Sequence, residues 1–177
     1  MGDDQRRQRE NPFAKARKNA RGLNSAEIFL IPASFRTAID VAKVRLINHH
    51  QNVFAKNKIM TRCNNIWWPD CPADFTKIKP IYDMFYFQSV LIHELCHVWQ
   101  YKTGRLSLGK YITNPARWKY RYKFDPKKTF DDYPTEKQAD FFQDWWFLNK
   151  GQPAANAKEM TLPPTKAEIN KVVPFQW

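Results

Sequence analysis

Downstream of Pro80, apolar residues recur at helical spacing. Phe87, Val90, Leu91, Leu95 and Val98 follow a period near 3.6. Pro80 suits the start of a helix and Gly104 its end, so the pattern predicts a helix over 81–102. A second run, PTEKQADFFQDWWFLN, lies between Asp132 and Gly151 and predicts a helix over 134–149, capped by Asp132 or Thr135. Shorter patterns predict helices over 34–41 and 165–172. Val41–Ile47 alternates imperfectly between apolar and polar and reads as a strand. Ile59–Thr61 and Ile66–Trp68 flank Asn64-Asn65, which predicts a hairpin. Over 116–124, Trp118, Tyr120, Tyr122 and Phe124 alternate with Arg117, Lys119, Arg121 and Lys123. A strand there turns its rings inward and its cations to solvent.

Two long helices with short strands between them predict an α+β fold. The sheet is expected to be small and mostly antiparallel, packed on the first long helix with the second beside it. At 177 residues, with seven Trp and thirteen Phe, the chain can build one real core. Residues 1–22 carry seven Lys/Arg against three acids and little apolar period, so they read as a flexible basic arm ahead of a domain over 23–177. That arm has no apolar stretch of the kind an ordinary secretory signal needs. No segment approaches the ~20 apolar residues of a membrane span, which excludes membrane insertion by a helix.

The formal net charge of +12 points to an anionic partner: nucleic acid, anionic lipid, or an acidic polymer such as bacterial cell wall. Cys63 and Cys71 could bridge in an oxidising compartment. Cys96 lies inside the first long helix, and free thiols fit the count of three equally well.

His93-Glu94-Leu95-Cys96-His97 is the sharpest chemical signal. On a helix, residues i and i+4 share a face, so two imidazoles can reach one zinc ion, while Glu94 projects beside it as a general base. Four His and six Glu in the whole chain make a chance HExxH expected in roughly 0.3% of such sequences. A zinc site needs a third protein ligand. His49 and His50 are far upstream, whereas Glu136 and Asp140 lie one turn apart on the second long helix. One of these carboxylates can bind metal and the other can accept the distal N–H of a ligating histidine.

HExxH followed by ExxxD on a later helix resembles the gluzincin group of zinc metallopeptidases. That resemblance implies a zincin-like domain with His93, His97 and Glu136 as Zn2+ ligands and Glu94 as the base. It makes Asp140 the carboxylate that accepts from a ligating histidine, His93. A wider resemblance, from Ser25 to Lys150, rests on IHELCHVWQYKTG, a YRY element and DYPTEKQADFFQDWW. It is to bacterial HExxH proteins related to the type VI secretion spike protein. Pro134 departs from their last motif but leaves Glu136 and Asp140 in place.

These features imply amide hydrolysis by metal-activated water. The developing oxyanion needs a further donor. Tyr133, next to the third-ligand helix, is a catalytic candidate, with Tyr111, Tyr120, Tyr122 and Arg121 as alternatives. Residues 101–130 carry nine Lys/Arg and one acid, and form a cationic rim for an anionic substrate. The leading expectation is therefore a monomeric zinc peptidase or amidase. It would be made in the cytoplasm without a signal peptide, then delivered by a type VI system into a target cell's periplasm. The expected substrate is peptidoglycan peptides or protein, and the expected partners are a secretion spike and an immunity protein. The alternative is a non-catalytic, zinc-stabilised basic module that contacts nucleic acid or a spike, and a self-acting processing protease or secretion accessory is a third reading.

Overall fold

The computed structural model describes residues 11–51, 57–107, 122–157 and 163–177. Three short helices come first: α1 (Pro12–Lys18), α2 (Ser25–Leu30) and α3 (Ala33–Ala38). Strands β1 (Arg45–Ile47), β2 (Met60–Arg62) and β3 (Asn65–Trp67) form one sheet. Helices α4 (Ile81–Lys102), α5 (Thr135–Asn149) and α6 (Lys166–Val172) complete the fold.

Helix α4 matches its predicted span, and Gly104 supplies the positive φ of +73° that ends it. From Leu91 to Gln100 every residue is buried, so the helix is an axis with neighbours all round it. Helix α5 lies against it and is itself buried continuously from Gln138 to Phe147. Gln143 of α5 donates to the Ser89 hydroxyl of α4 at 3.0 Å, and Ser89, Cys96 and Ala139 are all fully enclosed. An aromatic layer gathers around Phe142, which meets Phe35 at 4.8 Å, Phe175 at 5.5 Å and, across the two helices, Trp99 at 5.9 Å between ring centroids. The Trp146 indole N–H donates to the Leu30 carbonyl at 3.1 Å, which ties α5 to α2.

The α+β composition agrees with expectation, but the sheet is mixed. Its order is β1-β3-β2, with β1 parallel to β3 and β2 antiparallel to β3. The parallel pair joins segments some twenty residues apart, a non-local choice that local pattern does not encode. The hairpin turns at Cys63-Asn64, one residue earlier than expected, because Cys63 adopts a positive φ of 53°. A 3₁₀ turn at Val41–Lys43 takes the first half of the predicted 41–47 strand. Neither expected cap serves α5: Pro134 sits at the N-cap with no side-chain hydrogen bond, and Asp132 caps the preceding 3₁₀ turn with Thr129 instead.

Within the stretch read as a flexible arm, residues 11–22 make ordered contacts with the domain. Asn11 caps α1 through its side chain, and Phe13 packs edge-on against Trp67 at 6.5 Å. The Arg21 backbone bridges Leu46 at the sheet edge. Residues 1–10 lie outside the described residues. So do residues 116–121 of the predicted aromatic strand. At 122–124 the chain is irregular, yet Tyr122 and Phe124 are buried and Lys123 is exposed, which preserves the expected alternation. All three cysteines are free. Among the described residues no helix is long and apolar enough to cross a membrane.

Candidate metal centre

Helical geometry puts His93 and His97 on one face of α4, and the first turn of α5 brings Glu136 opposite them. His97 Nε2 lies 3.2 Å from Glu136 Oε2, and His93 Nε2 lies 3.6 Å from the same oxygen. One ligand atom from each of the three residues falls within 4.8 Å of the others. Four ligands at 2.0–2.1 Å around a tetrahedral zinc stand about 3.3 Å apart, so the two measured separations fit such an ion. As a candidate ligand set, three protein side chains would leave a fourth position for water.

The other ring nitrogens are already engaged. His93 Nδ1 is 3.3 Å from Asp140 Oδ1, and His97 Nδ1 is 2.8 Å from Gln100 Oε1. Partners on Nδ1 turn both Nε2 atoms toward Glu136, an arrangement typical of metal-ligating histidines. Glu94 is buried beside the pair, and its Oε2 accepts from the Thr61 hydroxyl at 2.6 Å. Edge strand β2 therefore holds the carboxylate expected to act as base.

Electrostatics give the same picture. Burial opposes charge on His93, but hydrogen bonds to Asp140 and Glu136 outweigh it and lift the pKa to about 10. His97 also rises, its burial outweighed by Glu136. Glu136 falls well below the usual carboxylate range: burial pushes it up, but His97 and His93 pull it down further. Three buried or nearly buried carboxylates, Glu94, Glu136 and Asp140, thus surround two imidazoles and call for compensating positive charge. Protons on the rings can supply it, and so can one divalent cation in their place.

Of the expected site residues, the structure gathers His93, His97, Glu136, Glu94 and Asp140. Tyr133 is directed elsewhere. Its hydroxyl accepts from the Asp125 amide at 3.0 Å and donates to the Asp125 carbonyl at 3.3 Å, while its ring packs on Phe141. Tyr122 is also engaged, donating to Asp144 at 2.7 Å. Tyr111, Tyr120 and Arg121 lie outside the described residues. Cys96 is buried and takes no part in the ligand group. Gln100 and Thr61 were not anticipated. Gln100 could have been found from its place three residues after His97 on the same helix, whereas Thr61 carries no sequence signal.

No family model matches the chain. The type VI secretion system spike protein VgrG2b of Pseudomonas aeruginosa is 30% identical over 153 residues, which cover 78% of this chain. The chain spans 14% of that relative's length. The solved effector domain of Pseudomonas aeruginosa VgrG2b superposes with a TM-score of 0.63 at 26% identity, covering 85% of this chain and 80% of that one. The chain is thus homologous to the effector domain of a type VI secretion spike protein.

Proposed function

We propose that this chain is a zinc-dependent peptidase or amidase of gluzincin type, delivered by a type VI secretion system as an antibacterial effector. The observation that carries the catalytic reading is the buried convergence of His93, His97 and Glu136 beside Glu94. Homology to an effector domain supports the delivery route, with a secretion spike as carrier.

When bound by His93, His97 and Glu136, zinc supplies a Lewis acid that polarises an amide carbonyl and makes water a nucleophile near neutral pH. Glu94 takes the proton released as water adds to the carbonyl carbon, then passes it to the nitrogen as the C–N bond breaks. Thr61 keeps that carboxylate oriented. Asp140 and Gln100 keep the two imidazoles oriented. The net charge of +12 favours an anionic polymer, so the peptide portion of peptidoglycan is the preferred substrate class and protein the second.

Metal content and turnover of wild type and Glu94→Gln test the reading together. Fluorescein-labelled casein and purified peptidoglycan serve as substrates. About one zinc per chain is expected in both proteins, with turnover in the variant lower by roughly 10²–10⁴-fold. Zinc retained with no turnover in wild type on either substrate would favour the basic binding module. Equal turnover in both proteins would remove Glu94 from the mechanism.

A further inference from the structure

We propose that Gln100 and Gln138 form a neutral relay that fixes the tautomer of His97 and clamps the turn bearing Glu136 against it. The inference rests on reading His93, His97 and Glu136 as a metal site.

The relay begins at two backbone carbonyls, Phe130 and Tyr133, which can only accept. Gln138 Nε2 lies 3.2 Å from the first and 2.9 Å from the second, so its amide nitrogen must face them. Its Oε1 then points at Gln100 and accepts from Gln100 Nε2 at 2.9 Å. The second proton of Gln100 Nε2 goes to the Thr135 carbonyl, also at 2.9 Å. Gln100 Oε1 is therefore turned to His97, and His97 Nδ1 must be the donor across 2.8 Å. A neutral imidazole protonated there carries its lone pair on Nε2, which faces Glu136 Oε2.

Burial enforces this order. Gln100 is fully enclosed and Gln138 nearly so. Flipping either amide would set donor against donor or acceptor against acceptor at positions closed to bulk solvent. The same two amides dock the first turn of α5, because Thr135 and Gln138 bracket Glu136 in sequence. One relay therefore sets both the ring and the carboxylate that approach each other at 3.2 Å. Asp140 orients His93 with a charge, whereas the relay orients His97 without adding a negative charge to three carboxylates. Glutamate at position 100 could not do the same, since it would turn an acceptor on the Thr135 carbonyl and Gln138 Oε1.

Zinc affinity, measured by competition with a chromophoric chelator, tests the relay in wild type, Gln100→Met, Gln138→Met and the double variant. Methionine preserves length and volume, and circular dichroism of the metal-free proteins reports whether each folds. Gln100→Met is expected to weaken zinc binding by about 10–100-fold. Gln138→Met, which touches no ligand, is expected to weaken it by roughly threefold to tenfold. The double variant is expected to bind no more weakly than Gln100→Met, since the second loss acts through the first. Wild-type affinity in a folded Gln138→Met protein, or penalties that multiply in the double variant, overturns the relay while the metal reading stands. Failure of wild type itself to bind zinc overturns both.

Discussion

Two clusters of buried charge lie in this fold, and they are built differently. Around Glu27, at the start of α2, every lone-pair direction has a donor. Arg21 binds both carboxylate oxygens, at 2.8 and 2.9 Å, and the amides of Asn24 and Phe75 add donors at 2.9 and 3.1 Å. Arg21 also donates to the carbonyls of Pro72 and Gly22. That knot is closed, and nothing further can bind to it. Around Glu136, by contrast, the outer nitrogens of both imidazoles are engaged, and the inner atoms converge on one another. Saturation marks a structural ion pair. Convergence of acceptors on a common point marks a place for a cation.

The largest expected effect that separates the clusters comes from Arg21→Met. It keeps much of the stem over Phe75 but strands a fully buried Glu27 carboxylate. A cost of about 3 kcal/mol is expected, at the lower end for a broken buried pair because Arg21 is itself partly exposed. For a chain of this size that lowers Tm by about 6–12 °C. Zinc stoichiometry, measured on the folded variant, should not change. Loss of zinc without loss of Tm would reverse the roles assigned to the two clusters.

The contrast also explains what could be read from sequence. The spans of α4 and α5 were legible because Pro80, Gly104, Pro134 and Gly151 bracket strong periodicity, and the i, i+4 rule alone aligns His93 with His97. The Arg21–Glu27 knot was not legible. Arg21 sits among cations that read as a solvated arm, and the Pro72 carbonyl and Phe75 amide that complete the knot lie about fifty residues away. Thr61 reaches Glu94 across 33 positions through an edge strand only three residues long. Gln100 and Gln138 are amides, which suit any polar position until both helices are placed. Tyr133 is near Glu136 in sequence, but its hydroxyl goes to the Asp125 backbone. Local pattern thus recovers the candidate ligands and Asp140, whereas the contacts of Thr61 and Gln138 come from non-local packing.

Asp144 sharpens the comparison as an intermediate case. It is fully buried and accepts from Tyr122 and from the amides of Ala155 and Asn156, like the closed knot. Unlike Glu27 it has no cation among the described residues, and burial, aided by nearby Asp140, raises its pKa from 3.8 to about 6. The folded state therefore holds this proton more tightly than the unfolded chain does. The associated stability is fully present below pH ~4, declines as pH rises toward 6, and is absent above it. The span corresponds to about 3 kcal/mol. Denaturant unfolding of metal-free wild type and Asp144→Asn across pH 4–7 isolates this contribution, since other groups are common to both. Relative to the variant, wild type should lose about 2 kcal/mol across that range, most of the full span. A flat difference would mean that the hydrogen bonds keep Asp144 ionised throughout.

The smallest expected effect tests whether the open cluster is organised for chemistry as well as for binding. Thr61 touches no ligand atom of the triad, yet its hydroxyl lies 2.6 Å from Glu94 Oε2. Thr61→Val preserves shape and β propensity but leaves that oxygen unheld. Zinc content and Tm should stay close to wild type, while kcat falls about tenfold and KM changes little, because a loosened base weakens proton transfer more than substrate binding. Thr61→Ser, which restores the hydroxyl, should recover most of the rate. Equal rates for valine and serine would reduce the contact to packing of β2 on α4. Recovery by serine alone would place the edge strand in the machinery that orients the base, a role the closed knot around Glu27 has no means to play.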